Sequence, residues 1–259
     1  MVRGIYTSAW SMLALEKKMD VITNNMANVN TNAYKKDTVV YQGFPDVLTR
    51  RINDTRSSLS PDGIVGNMQQ GSDVGEVYTY YNQGQLQKTD NKLDMAIRGS
   101  DSAFFTVTGT DGNGNAKEYY TRDGAFAIGA DNQLVTKEGY VVQGVNGPIV
   151  LNGDSFNVMP DGTIVQEGEA VDRLLVKQFT DTKTLRKYGD NLLEKTEQTE
   201  EAAFDGNIQQ GYLELSNVNI VKEMVDMITV TRAYEANQKI LQAQDGTLDK
   251  AVNEVGALR

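Results

Sequence analysis

The 259-residue chain contains no cysteine and no histidine, which removes disulfides, thiolate metal sites, the commonest general base and the commonest metal ligand. Its formal net charge of −10 repels nucleic-acid phosphates and anionic lipid heads, so neither is an expected partner. No run of apolar residues is long enough to span a membrane, and direct membrane insertion is not expected.

The first element in chain order is an amphipathic helix. Ile5, Met12, Met19 and Met26 step by seven and interleave with Ser8, Leu15, Ile22 and Val29, the alternating three–four spacing of a coiled-coil seam. Arg3 and the apolar stretch after it mimic a secretion signal. Ser8 and Ser11 interrupt that stretch, and Glu16-Lys17-Lys18 follows without a small-residue cleavage site, so a retained helix is expected. The pattern then breaks in NNMANVNTNAYKKD, where asparagines cluster over residues 24–32. Asparagine side chains compete for backbone hydrogen bonds and tolerate left-handed dihedrals, so Asn28, Asn30 and Asn32 can end the helix in a tightly bonded corner.

Residues 37–75 read as a linker or extended arm. LTRRINDTRSSLSPDGIVGNMQQGSDV, residues 48–74, has no sustained periodicity, while Ile64, Val65, Met68 and Arg50-Arg51 offer something to dock on a neighbour. Residues 76–216 differ again. Of 24 glycines all but Gly4, Gly246 and Gly256 fall between residues 43 and 216, as do all 4 prolines, so the interior cannot be a helical bundle. Asp-Gly at 111, 123 and 161 and Asn-Gly at 113, 146 and 152 are hairpin signals between short apolar runs such as Ala103–Thr108 and Leu174–Phe179. The expected fold class is α+β, with long coiled-coil helices at both ends flanking a central antiparallel β domain of barrel or sandwich type.

Chemical motifs in the interior fail when tested. Asp111, Asn113 and Asn115 alternate like the first ligands of a calcium loop, but its sixth position is Ala116 and its twelfth is Arg122. GTDGNGNAK has neither Walker nor dinucleotide spacing. Pairs such as Glu197/Glu200 and Glu167/Glu169 are expected by chance among 35 acidic residues. No catalytic, metal or cofactor-binding residue is expected, and a cell-wall hydrolase or a soluble coiled-coil adaptor stand only as remote alternatives.

The last element is a second helix. Ile220, Met227, Tyr234, Leu241, Leu248 and Val255 form an unbroken apolar column, with Met224, Thr231, Gln238, Asp245 and Val252 as a mixed companion. Ser216 or Asn217 reads as its N-cap, with Glu223 and Asp226 in early turns where the helix dipole favours them. Residues 1–36 and 217–259 together form the expected helical assembly domain. They carry +3 and −1, leaving −12 on the interior.

At these blocks the chain resembles a known family. NNMANVNTNAYKK resembles the N-terminal signature of bacterial flagellar axial proteins, and YLELSNVNIVKEMVDMITVTRAYEANQKILQAQDGTLDKAV resembles its C-terminal counterpart. QGQLQKTDNKLDMAIRGSDSAFFTV and EYYTRDGAFAIGADNQLVTKEGYVVQGVNGPI resemble the β domain shared by hook and rod subunits, and the length resembles that of the rod proteins. The signature positions are Asn24, Asn25, Ala27, Asn28, Thr31, Tyr34, Lys35, Ser216, Asn217, Val218 and Asn219. The family usually has glycine at Ala33 and Ala103, so a slightly different turn is expected at each if those glycines need positive φ.

The resemblance implies a structural subunit of the basal-body rod. Such a subunit polymerises into a helical shaft, contacts neighbouring rod and hook subunits, and transmits torque from motor to hook. It further implies a basal-body location outside the cytoplasmic membrane, reached through the flagellar export apparatus without a cleaved signal peptide. The arm at residues 48–74 is similar to the extension of the distal rod subunit, whereas VNGPIVL and VDRLLVKQF are closer to the proximal one; the balance leans to distal.

Overall fold

The computed structural model describes residues 2–50, 64–69, 71–110, 116–151, 156–189 and 191–255. The chain divides into two compact units. One comprises Met1–Met26, Asp37–Tyr78 and Ile220–Arg259; the other comprises Ala27–Lys36 and Thr79–Asn219.

The first unit holds both long helices, α1 (Val2–Ala27) and α2 (Ile220–Lys250). Neither contains proline, and each contains one glycine. Helix α1 ends at Ala27, inside the asparagine cluster: Asn24 and Asn25 still lie on the helix, and Asn28 follows its end. Helix α2 carries Glu223 in its first turn and Lys250 in its last, both favourable to the helix dipole, and runs on into a π-helical turn, Ala251–Val255. Ile220 opens the helix, so Asn217 does not cap it; the Asn217 side chain bonds elsewhere.

The arm is not structureless. Asp37–Gly43 pairs with Ser72–Thr79, and Val47–Arg50 pairs antiparallel with Ile64–Met68, with a bulge between Thr49 and Arg50. These strands escaped the sequence reading because both faces of the second ribbon are largely exposed. No apolar–polar alternation then develops, and Gly66 at φ +133° adds a further break. Arg51 and the rest of residues 51–63 lie outside the described residues.

The second unit is an antiparallel β structure organised on Ala103–Thr110. That strand pairs with Ala116–Thr121 along one stretch, with Val176–Phe179 at its start and with Val141–Gly144 further on. Leu192–Lys195 and Leu185–Lys187 extend the sheet beyond Ala116–Thr121; Leu134–Thr136 and Phe126–Ile128 extend it beyond Val141–Gly144. Phe156–Val158, Thr163–Gln166 and Glu169–Arg173 form a separate three-stranded sheet. Asn207–Gln210 pairs with Met95–Arg98, and Tyr212–Glu214 pairs with Leu86–Lys88.

Both faces of the central strand are covered. Phe105 and Val107 enter the main core with Met95, Tyr119, Leu134, Ile149 and Leu151, while Phe104 faces the opposite side with Tyr120, Phe179, Leu185 and Leu193. That is why residues 103–107 read as a continuous apolar run rather than an alternating one.

The turn signals divide. Asn146-Gly147 and Asp161-Gly162 connect paired strands, with Gly147 at φ +129° and Gly162 at φ +88°. Asp123-Gly124 is not a hairpin, since the strands on either side pair with different partners. Its glycine instead allows a backbone crossing, where a Cβ would fall 1.6 Å from the Met95 carbonyl oxygen. The pairs at 111, 113 and 152 lie outside the described residues.

Candidate assembly interface

Within the helical unit α1 and α2 run antiparallel. Asn25 Nδ2 donates to Glu223 Oε2 at 3.2 Å, and at the other end a Cβ on Gly4 would fall 2.5 Å from Gln244 Nε2. On α1, Ser8, Ile22 and Asn25 are buried; Ile5, Met12, Leu15, Met19 and Met26 are half-buried. Val29 lies beyond the helix end, also half-buried.

On α2, Met227, Tyr234, Leu241 and Leu248 are half-buried, Ile220 is exposed, and Val255 lies outside the residues whose side chains are described. Their inward companion is not the column through Met224. It is Glu223, Val230, Asn237, Gln244 and Ala251, in which Glu223 and Val230 are buried. Counting apolar residues missed this column because Glu223, Asn237 and Gln244 in it are polar. Asn25 meets Glu223, and the missing side chain of Gly4 leaves room for Gln244.

Each helix keeps a second apolar face open. Val221, Met224, Val225 and Ile228 follow the i, i+3, i+4, i+7 spacing and are 67%, 45%, 57% and 54% exposed. On α1, Tyr6, Trp10 and Leu13 make a similar stripe. It borders a groove lined by Arg3, Thr7, Phe44, Met68 and Gln69, with Trp10 edge-on to Phe44 at 5.2 Å between ring centroids. Lys18 lies over the Tyr41 ring.

The asparagine corner is as densely bonded as its composition implies. Asn25 reads the backbone of Asp37 twice, donating to its carbonyl at 2.8 Å and accepting from its N–H at 3.0 Å. Asn24 is exposed, Ala27 ends the helix, and Asn28 Oδ1 accepts from Thr31 Oγ1 at 3.0 Å. Ala33 keeps a left-handed φ of +56° despite its Cβ, so the conformation that family glycines would allow is retained here. Ala103 is different: it is an ordinary buried strand residue outside the positive-φ region.

Past the corner, Tyr34 and Lys35 are buried. Asn217 Oδ1 accepts from the Lys36 N–H at 2.8 Å, and its Nδ2 donates to the carbonyls of Tyr80 at 2.8 Å and Asn82 at 3.1 Å. Ser216 Oγ accepts from the Val218 N–H at 3.3 Å; Val218 is buried, and Asn219 is exposed just before α2.

Beneath these backbone ties lies a buried charge cluster that sequence reasoning did not single out. Glu214 accepts from Lys35 Nζ at 2.5 Å and from Arg122 Nε at 2.7 Å, with 1% of its side chain exposed. Gly84 N–H also donates to it, at 2.9 Å. Arg122 continues to the carbonyls of Ser100, Ile97 and Ala103. Burial alone would push the Glu214 carboxyl up, but the two cations outweigh it and hold it below its ordinary value. The available signals were a lone Glu inside the apolar YLEL run and a lone Arg directly after the Tyr119-Tyr120-Thr121 strand end.

Among the described residues no cluster of acidic groups could hold a metal ion, and no helix is long and apolar enough to cross a membrane.

Residues 5–35 match the family described as flagella basal body rod protein, residues 96–166 the flagellar hook protein FlgE/F/G D1 domain, and residues 209–254 the flagellar basal body rod FlgEFG protein C-terminal region. The flagellar basal-body rod protein FlgG of Buchnera aphidicola subsp. Acyrthosiphon pisum is 35% identical over 96% of this chain and 98% of that protein. FlgF of Rhizobium meliloti is 31% identical over the full length of both, and the hook-basal body complex protein FlhO of Bacillus subtilis is 28% identical over the same span. The chain belongs to the flagellar basal-body rod protein family, whose members are structural subunits rather than enzymes.

Proposed function

We propose that this rod subunit polymerises with copies of itself into a helical shaft that transmits torque from motor to hook. The supporting observation is the pair of open apolar faces on the helical unit. With Gly4 level with Gln244 and Asn25 level with Glu223, the Tyr6–Trp10–Leu13 stripe and the Val221–Ile228 stripe sit at opposite ends of the antiparallel pair. At 1.5 Å rise per residue they are about 20–25 Å apart along the axis and cannot meet within one chain. One stripe on the other of a displaced copy is a heterologous contact that does not close, and its repetition gives a helical tube. The helices then form a coiled-coil wall of that tube.

Ile228→Asp tests this, because Ile228 is exposed in the single chain and desolvated only on assembly. Thermal unfolding of the purified variant is expected to match wild type, while tomography of cells carrying it shows no rod beyond the point where this subunit enters. Rods of ordinary length would overturn the reading.

The same reading places the subunit outside the cytoplasmic membrane, delivered by the flagellar export apparatus without a cleaved signal. Subunits recovered from basal bodies then begin within the first residues of the sequence, and an N-terminus beyond Leu15 would refute uncleaved export. Between the two rod positions we assign the distal one, on the long arm at residues 48–74. Labelled subunits in tomograms of basal bodies decide this, and density confined to the cell-proximal end of the rod would reverse the assignment.

A further inference from the structure

The β unit is left by the chain at four points, Ala27, Lys36, Thr79 and Asn219, and the segments leading to them are cross-tied at one place. Tyr80 N–H donates to the Lys36 carbonyl at 2.9 Å, Asn217 N–H to the Tyr34 carbonyl at 3.3 Å and Ala33 N–H to the Glu214 carbonyl at 2.7 Å. Gly84 lies so close to the strand-end segment that a Cβ would fall 2.0 Å from the Leu215 carbonyl oxygen. Directly below, Lys35 Nζ joins the Asn82 carbonyl at 2.8 Å to Glu214, and Glu214 passes the connection to Arg122. Arg122 directly follows the strand Ala116–Thr121, and its guanidinium holds the carbonyl of Ala103, the first residue of the central strand.

A buried ion cluster is a weak source of stability, because desolvating its charges offsets most of their attraction, and apolar side chains of similar size serve as well. What such a cluster supplies is direction. Charge-assisted bonds fixed at both ends resist sliding of one segment past another, whereas apolar contacts slip.

We infer that the Lys35–Glu214–Arg122 cluster is the mechanical anchor through which force borne by the four exiting segments enters the two central strands of the β unit. This rests on the torque-transmitting reading above. Lys35 and Arg122 position Glu214, and Glu214 positions the segments; none of them contacts a ligand.

Lys35→Met in the full chain is the discriminating variant, since it leaves Arg122 and Glu214 as a neutral buried pair. Amide exchange at residues 34–36 and 80–84 is expected to speed up about tenfold or more, the loss of one charge-assisted tie, while residues 104–107 and 119–121 keep their protection. Cells carrying the variant are expected to build rods and swim normally in dilute medium, then lose speed disproportionately in viscous medium. Lys88→Met, which removes an exposed ion pair with Asp90, serves as the control and changes neither readout.

Unchanged exchange at 34–36 and 80–84 would overturn the inference, as would faster exchange with wild-type swimming under load. Exchange rising across the whole sheet with a large fall in melting temperature would reduce the cluster to an ordinary folding contact. Absence of labelled wild-type chain from rods would instead sink the torque reading, whatever the exchange shows.

Discussion

Ala33 holds a left-handed backbone, φ +56°, at a buried position, and for a residue with a Cβ this costs roughly 1–2 kcal/mol. The corner over-determines it: Ala33 N–H is held by the Glu214 carbonyl at 2.7 Å, and Asn191 Nδ2 holds the neighbouring Asn32 carbonyl at 2.6 Å. Ala33→Gly relieves the strain but loses a buried methyl of about 0.8 kcal/mol, so a net gain of up to about 1 kcal/mol is expected in denaturant unfolding. Glu214 carries a pH dependence of definite sign. Its carboxyl lies below the ordinary value of 4.5 in the folded chain, so it contributes stability that is complete above that value and lost as pH falls through the folded one. Acidification below about pH 4 is therefore expected to lower the melting temperature, because protonation leaves Lys35 and Arg122 as unbalanced buried cations. Glu214→Gln should be less stable at neutral pH and show a shallower acid decline. Equal slopes for the two proteins would remove Glu214 from the account.

At the scale of elements, the strand Ala103–Thr110 and the Asp123-Gly124 crossing fix the β unit. The crossing brings two backbones into contact, with Met95 N–H donating to the Gly124 carbonyl at 3.0 Å. Gly124→Ala puts a methyl into the Met95 carbonyl, a backbone atom that cannot swing aside, and a destabilisation of about 1–3 kcal/mol or more is expected. Gly139, at φ +93° with nothing near its Cβ position, is the comparison: Gly139→Ala pays only the backbone strain. Calorimetry of both variants checks the ranking, and an equal loss would mean that the crossing relaxes without cost. The helices follow a different logic. Their inward columns include Glu223, Asn237 and Gln244, so the seam is not continuously apolar; Asn25 meets Glu223 across the pair, while Asn237 donates to the Ala233 carbonyl of its own helix.

Across the whole molecule, burial is unequally shared. The β unit contains the large apolar cores, whereas α2 buries only Glu223 and Val230 among its described residues and leaves Val221, Met224, Val225, Ile228 and Ile240 exposed. A helix pair with so little burial is marginal by itself, because most helical stability in proteins comes from packing. In dilute solution amides of residues 5–26 and 221–250 are expected to exchange well ahead of residues 104–107 and 119–121, and to become protected in isolated rods. Equal protection of helices and sheet in the free chain would show that the helical unit needs no neighbours to order.

The sequence by itself determined the division into long terminal helices and a β interior, because heptad spacing and the confinement of glycine and proline are local properties of the chain. It likewise identified the family from the blocks around Asn25 and Asn217, and several strands, since runs such as residues 103–108 and 117–121 carry their own apolar content. Exposure on both faces hid the ribbons of the arm, whose pairing depends on a partner strand rather than on burial. Only the tertiary structure decided which helix column turns inward, because three of its members are polar and one of them, Glu223, finds its partner Asn25 about two hundred positions away. It alone brought Lys35, Arg122 and Glu214 together. Lys35 stands in a signature block, but Arg122 and Glu214 are unremarkable charges in sequence, and the meeting of the three depends on long-range strand pairing that no local pattern encodes.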